Sequence, residues 1–262
     1  MEELFVGLDL AVTPPAAGGV RGWTVAWRTN EGVVSCSVRD LGAMPLAVMR
    51  PVRRFAWSAR QRHRPGLQFM VSTGRHHGFE SLAEQRLLLA LDFAGEVVVQ
   101  VLGQPFRLRF TVGGQRRDHV PDVLAVTRCG VWLFDVRPAD RVSVKDMAGF
   151  AAAARVATEV GWRYAVVTGW RPNVLAGVEA LSAQRRPLDD PLGMQAQLLT
   201  AAAARPMRFS ALATATSVPA IGRAHALHLL WHRRLEVDLS RPLGDATLVR
   251  TAAPVGPAVM AG

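Results

Sequence analysis

Hydrophobic and polar positions change their spacing several times along the chain, and each change predicts an element. From Phe79 the apolar residues Leu82, Leu89 and Phe93 recur on one face of a helix that ends near Gly95. Later changes predict strands at 97–102 and 106–112, a β-hairpin at 122–136, a helix at 143–160, a strand at 164–168 and a helix that begins near Pro172. This order predicts an α/β fold, with a mixed sheet flanked by helices.

The two ends of the chain follow other patterns. Residues 1–60 alternate short apolar runs with Gly and Pro, which is typical of a small β-rich module. After Arg185-Arg186-Pro187, helices are predicted at 192–204, 209–214 and 219–231, followed by short strands at 235–239 and 247–249. Three helices closed by a β-hairpin are typical of a winged helix, whose third helix lies in the DNA major groove. The alternative is a helical cap without a role in DNA binding.

Four units follow from these patterns. They are a β-rich module at 1–60, an α/β domain at 61–185, a winged-helix unit at 186–251 and a disordered tail at 252–262. In the winged-helix unit, the candidate DNA contacts lie on or directly after the third helix and are Arg223, His228, Arg233 and Arg234.

The register of the predicted hairpin determines where two aspartates point. If Thr127 pairs with Gly130 across a two-residue loop, Asp122 lies directly opposite Asp135. Arg137 then projects from the same face as Asp135, because alternate residues of a strand share a face. A three-residue loop, with Gly130 in the left-handed conformation, would shift the register by one and place the aspartates on opposite faces.

Two facing carboxylates predict a metal site. They repel each other unless a cation lies between them, and Mg²⁺ prefers their oxygens as ligands. We expect Glu84, Asp122 and Asp135, with the carbonyl of Val136, to hold one or two Mg²⁺ ions, for which Mn²⁺ can substitute. Such ions lower the pKa of a bound water and polarise a phosphate.

Two cations near these acids are further catalytic candidates. Arg137 can stabilise charge in the transition state, but it stays protonated and cannot act as a base. Lys145, the only lysine of the chain, lies near the start of the following helix and is a candidate to reach the same pocket.

Each of these acids also has a structural explanation. The segment Ser81-Leu82-Ala83-Glu84 matches a capping box, in which the glutamate reaches back to the start of its helix. Asp122 follows a proline and is suited to begin a strand. A buried Asp135 needs a countercharge, and Arg137 could supply it as a purely structural ion pair.

Composition adds a prediction about the class of partner. Of 262 residues, 31 are Lys or Arg and 21 are Asp or Glu, which gives a formal net charge of +10. Such a surplus favours a polyanionic partner such as double-stranded DNA. Arg62 and Arg64 belong to a basic segment that predicts either an arm in contact with phosphates or a solvated loop.

Cysteine and hydropathy patterns predict the location of the protein. The two cysteines, Cys36 and Cys129, lack metal-ligand spacing and are typical of a reducing interior. The alanine-rich run at 151–154 is too short to span a bilayer. We therefore expect a cytoplasmic, nucleoid-associated protein without a membrane partner.

Several of these motifs, in this order, resemble a known family. They are Ser81-x-x-Glu84, Gln104-Pro105-Phe106-Arg107-Leu108, Arg116-Arg117-x-x-x-Pro121-Asp122 and Asp135-Val136-Arg137-Pro138. Over roughly residues 60–170 the chain is similar to the TnsA-like endonuclease subunits of heteromeric transposases. The resemblance implies a restriction-endonuclease-like PD-(D/E)xK core and a C-terminal winged helix. It also implies Mg²⁺-dependent cleavage at transposon 5′ ends beside an integrase-type, TnsB-like transposase.

The resemblance also assigns roles to residues. It implies that Glu84, Asp122 and Asp135 are metal ligands and that Arg137 occupies the position of the catalytic lysine. Arg116 and Arg117, which belong to one of these motifs, are candidate DNA contacts. The arginine at position 137 departs from the family pattern. Two alternatives therefore stay open, namely a nuclease-derived DNA-binding or regulatory protein with a degenerate site, and a standalone restriction or repair nuclease.

Overall fold

The computed structural model describes residues 3–8, 19–53 and 65–253. Its strands are β1 (Phe5–Gly7), β2 (Thr24–Arg28), β3 (Val33–Ser37), β4 (Gly66–Met70), β5 (Arg75–Phe79), β6 (Val98–Gly103), β7 (Arg107–Val112), β8 (Gln115–His119), β9 (Val123–Thr127), β10 (Gly130–Val136), β11 (Arg163–Trp170), β12 (Met207–Arg208), β13 (Leu235–Glu236) and β14 (Leu248–Thr251). Its α-helices are α1 (Leu82–Phe93), α2 (Val144–Glu159), α3 (Val174–Leu181), α4 (Met194–Ala204), α5 (Phe209–Thr214) and α6 (Pro219–Trp231).

A five-stranded sheet forms the centre of the α/β part. Its strand order is β1-β11-β10-β9-β6. Strands β10 and β11 are parallel and α2 connects them, whereas the other neighbours are antiparallel. This mixed sheet with helices confirms the predicted α/β class.

The two faces of this sheet pack against different partners. On one face, Val123 and Phe134 pack with Leu87, Leu88 and Leu91 of α1. On the other face, Leu124 and Leu133 belong to a cluster that also contains α2 residues and the inner side of a second sheet. This second, four-stranded sheet has the order β3-β2-β7-β8.

The prediction that residues 1–60 form a module of their own needs correction. Strand β2 pairs with β7, and β1 pairs with β11, so the described strands of this segment complete sheets of the α/β part. Apolar spacing predicts that a strand exists, but its partner is chosen by packing far away in sequence. Val25 and Trp27 are buried in the same cluster as Leu108 and Phe110, which explains the pairing.

The C-terminal third contains helices and strands in the predicted order, and α6 spans the predicted residues 219–231. Strands β12, β14 and β13 form a small three-stranded sheet beside α4, α5 and α6. Leu198, Leu212 and Leu229 share a buried cluster with Phe93 of α1 and Val178 of α3. The unit beyond residue 186 therefore packs on the α/β part through a continuous apolar core.

Two further predictions concern the chain ends and the membrane. Residues 254–262, most of the predicted disordered tail, lie outside the described residues. Within the described ranges, no helix combines the length and apolar character needed to cross a bilayer.

Candidate functional site

The hairpin of β9 and β10 has the predicted register. Thr127 pairs with Gly130 across the two-residue loop Arg128-Cys129, and Val123 pairs with Phe134. The amide of Asp122 donates to the carbonyl of Phe134 at 3.0 Å. Its carboxylate Oδ2 accepts the amide of Val136 at 2.7 Å. At the end of the strand pair, the Asp122 carboxylate therefore takes the place of a backbone acceptor, and it lies immediately beside Asp135.

Asp135 is the most deeply buried acid of this region, with 2% of its surface exposed. Its Oδ2 accepts a hydrogen bond of 2.6 Å from the Tyr164 hydroxyl and lies 3.0 Å from Nε2 of His119. Burial first, and then the charge of Asp135, raise the pKa of Tyr164 far above its ordinary value, so that the hydroxyl remains a donor. Two side chains thus stabilise the buried carboxylate.

His119 and Tyr164 were not among the residues predicted for the site. His119 lies at the end of the edge strand β8, and its ring packs edge-on against Phe150 of α2. Gly149 leaves the space for this ring, because an added Cβ there would lie 2.8 Å from Nδ1 of His119. The sequence did offer one signal, since Tyr164 is the single tyrosine of the chain.

Glu84 makes the predicted capping interactions at the start of α1. Its carboxylate accepts hydrogen bonds from the amide of Glu80 at 2.9 Å and the hydroxyl of Ser81 at 2.8 Å. Ser81 in turn accepts the amide of Glu84 at 3.2 Å. Helix α1 covers the sheet face opposite to α2, so Glu84 approaches the aspartates from the other side.

The electrostatics of Asp122 nevertheless connect these acids. Burial raises its pKa well above the ordinary value, and the charges of Asp135, Glu84 and Glu80 raise it further. The hydrogen bond from Val136 opposes this shift without reversing it. Asp122 is therefore a buried carboxylate whose acidic neighbours disfavour its ionised form.

The carboxylates of Glu84, Asp122 and Asp135 are chemically suited to bind a hard divalent cation. Carboxylate oxygens are the ligands Mg²⁺ prefers, and a cation would relieve the repulsion that raises the pKa of Asp122. Among the described residues, no three His, Cys, Asp or Glu side chains are grouped closely enough to hold a metal ion. Asp135 points to Tyr164 and Glu84 to Ser81, so ion binding would require these side chains to turn.

Arg137 does not supply the countercharge of Asp135. Its side chain is 45% exposed, its Nε donates to the carbonyl of Arg141 at 3.1 Å, and the same atom lies 3.4 Å from Oδ2 of Asp146. His119 and Tyr164 occupy the positions next to Asp135 instead. The structural ion pair considered for Arg137 exists, but its partner is Asp146.

Lys145 is exposed in the first turn of α2, where the sequence placed it. Together with Arg117 and His119 it lines a cleft of about 670 Å³ between β8 and α2. Since His119 contacts Asp135, this cleft adjoins the buried carboxylate.

The start of α2 is fixed by a capping box. The Ser143 hydroxyl donates to Oδ2 of Asp146 at 2.7 Å, and the Ser143 amide donates to the same oxygen at 2.9 Å. The hydrogen bond from the Ser143 side chain is the main cause of the lowered pKa of Asp146.

Replacing Ser143 with alanine should reduce stability by about 1 kcal/mol at neutral pH. A lowered carboxyl pKa stabilises the fold above the ordinary value of 3.8, and this contribution is lost as pH falls through the lowered value. The difference between Ser143→Ala and wild type should therefore shrink in acid. Denaturant unfolding at neutral pH and at about pH 3 measures it. Ser35→Ala, on an exposed strand, is the control, and an equal loss in both variants would contradict the assignment.

The predicted DNA contacts fall into two groups. Arg116 and Arg117 are exposed on β8, while Arg62 and Arg64 lie outside the described residues. In the C-terminal unit, Arg223 forms an ion pair of 2.7 Å with Asp245 and lies over the ring of Phe209.

The remaining contacts follow α6. Arg233 and Arg234 are exposed beyond its end, and Arg233 lies over the ring of Phe93. His228 is only 9% exposed, and its Nδ1 lies 2.8 Å from the carbonyl of Gln184. The assignment of His228 to a DNA-facing surface is therefore corrected, because α6 turns this side chain toward the interior.

The chain matches no protein-family model. No curated protein matches it either. The geometry described above is therefore the basis for the functional proposal.

Proposed function

We propose that this protein is a Mg²⁺-dependent DNA endonuclease subunit that works beside an integrase-type transposase. The observation that carries the proposal is the position of Asp122 just beyond the β9–β10 pairing, where the charges of Asp135 and Glu84 both raise its pKa. Placing acids so that they raise the pKa of a buried neighbour is costly to the fold, and a purely structural site gains nothing from it. Functional sites tolerate this cost.

Four ligands would hold the ion. They are the carboxylates of Glu84, Asp122 and Asp135, with the carbonyl of Val136. Bound there, Mg²⁺ would supply Lewis acidity toward a phosphate and a water of lowered pKa. Before an ion binds, Tyr164 and His119 hold Asp135, and the amide of Val136 holds Asp122, so Asp135 would have to turn from Tyr164 toward the ion.

Cations beside the carboxylates complete the proposal. Arg137 is proposed to stabilise negative charge on the phosphate in the transition state, which requires it to exchange Asp146 for the substrate. Lys145, in the first turn of α2, is the second cation of the proposed site. Neither residue is assigned the role of a base.

The proposal includes a restriction-endonuclease-like core and a winged-helix unit. A restriction-endonuclease-like core is supported by a mixed sheet whose antiparallel β9–β10 hairpin carries the acids and whose parallel strands are joined by α2. A winged helix is supported by the order α4, β12, α5, α6, β13 and β14, with a three-stranded sheet. Double-stranded DNA is the proposed substrate because the net charge is +10.

One observation favours a second candidate function. Arg137, at the position where a catalytic lysine is expected, is committed to Asp146 and to the carbonyl of Arg141. Such a commitment favours a nuclease-derived protein that binds DNA without cutting it. The two candidates differ in one measurable property, which is hydrolysis of the phosphodiester.

Nicking of supercoiled plasmid tests the proposal. We expect relaxed circles to accumulate with Mg²⁺ or Mn²⁺ and none with a chelator, and we expect Asp122→Ala to stop the reaction. The assay is run with and without the partner transposase, since a subunit can require it. DNA binding that persists without nicking under all these conditions would instead support the second candidate. Site-specific cutting by the protein alone would favour a standalone nuclease.

A further inference from the structure

The cleft between β8 and α2 is separate from the carboxylate set, although it adjoins it. Its volume is about 670 Å³, and its walls come from β8 and α2, with Phe110 of β7. Phe110, Ala148 and Gly149 provide small or apolar surfaces, while Arg117 and Lys145 provide positive charge. The cleft is therefore a concave surface with cations at its rim.

The charged residues that line the cleft differ in whether their side chains already have partners. Among residues 3–8, 19–53 and 65–253, the side chains of Arg117 and Lys145 form neither a hydrogen bond nor an ion pair. The acids beside them are already engaged. Asp118 lies 3.7 Å from Arg107 and 3.9 Å from Arg109.

The second acid of the cleft, Asp146, is engaged in the same way. It accepts hydrogen bonds from Ser143 and lies 3.4 Å from Arg137. The nearby positive charge of Lys145 contributes to its lowered pKa, but only after Ser143 and Arg137. Acidic and basic residues line the cleft in similar number, but the acids already have partners. The charge that remains for a ligand is therefore positive.

The strand geometry makes this arrangement specific to one side of β8. Arg117 and His119 are two residues apart, so both project toward α2, and their partners on β7 are the buried Phe110 and Leu108. Arg116 projects from the opposite side of the same strand. Two adjacent arginines with equal charge thus lie on different surfaces.

We propose that this cleft is a phosphate subsite, and that the phosphate it takes is one in a DNA backbone. A guanidinium offers paired donors to phosphate oxygens, and an ammonium adds a point charge. Since His119 contacts both the cleft and Asp135, a phosphate held here lies next to the one to be attacked. The identification of the phosphate as part of DNA rests on the proposed function, whereas the phosphate subsite itself does not.

Calorimetric titration tests the subsite with two probes, inorganic phosphate and a short DNA duplex. We expect Arg117→Met and Lys145→Met each to weaken phosphate binding by roughly tenfold or more. For DNA, each should reduce the slope of log affinity against log salt by about one. Arg205→Met, at an exposed position far along the chain in the C-terminal unit, removes the same charge and is the control.

Arg116→Met separates a local site from a general positive field, because it removes the neighbouring charge from the other side of the strand. A loss of phosphate affinity equal to that of Arg117→Met would overturn the subsite. Weaker phosphate binding with unaltered DNA affinity would overturn its assignment to DNA. Thermal unfolding of each variant verifies that it folds. Because no readout is cleavage, phosphate binding here by a protein that fails to nick DNA even with the partner transposase would refute the nuclease and leave the subsite standing.

Discussion

Asp122→Asn is expected to make the protein more stable at about pH 8 and to reduce its DNA cleavage by about 10²–10³-fold. Burial and the charges of Asp135, Glu84 and Glu80 raise the pKa of Asp122. Ionisation of this group therefore destabilises the folded state. The amide oxygen of asparagine can still accept the hydrogen bond from Val136.

The sign of the pH dependence follows from the raised pKa. The contribution of Asp122 to the free energy of unfolding is fully present below its ordinary pKa of 3.8. It is lost as the pH rises through the raised pKa of the folded state. Wild type and Asp122→Asn should thus have similar stability in acid and diverge as pH rises. A divalent cation that binds the folded state should stabilise wild type and not the variant.

Thermal unfolding with and without MgCl₂, at low and high pH, measures these differences, and plasmid nicking measures the loss of activity. Asp140→Asn, which neutralises an exposed acid just beyond the hairpin, is the matched control. A less stable Asp122→Asn protein, or one that cuts DNA at the wild-type rate, would show that Asp122 is a structural residue.

Tyr164→Phe is expected to cost about 1.5–3 kcal/mol of stability, because it removes a hydrogen bond to a buried charged group. The lost contact is the 2.6 Å bond to Oδ2 of Asp135, which leaves His119 as the partner of that oxygen within the described part of the chain. Cleavage should fall as well, since Asp135 loses half of the contacts that orient it. Denaturant unfolding measures the cost in stability.

A double-mutant cycle supplies the control for Tyr164→Phe. In the Asp135→Asn background the hydroxyl no longer faces a charged acceptor, so the same substitution should cost less. Equal costs in the two backgrounds would mean that the effect of Tyr164 arises from packing alone.

The parts of the fold that depend on nearby residues were predictable from the sequence. The turn at Arg128-Cys129 fixed the register that brings Asp122 beside Asp135, because a short loop leaves few pairings. Helix α6 has the predicted bounds, since Pro219 suits its first turn. Ser81 and Glu84 likewise form the expected local cap.

The parts that depend on distant residues were not predictable. His119 contacts Asp135 only because β8 returns beside α2, and no spacing in the sequence encodes that approach. His228 was assigned to a polar surface by its chemical type, but a buried histidine is satisfied by one carbonyl. The pairing of β2 with β7 similarly depends on tertiary packing.

The pairing of β1 with β11 has a consequence for biosynthesis. The hydroxyl of Thr168 donates to the carbonyl of Val6, a contact between residues 162 positions apart. The ribosome therefore delivers β1 long before β11 exists, and this pairing can form only late in folding. Until then the unpaired backbone groups of β1 can recruit another nascent chain.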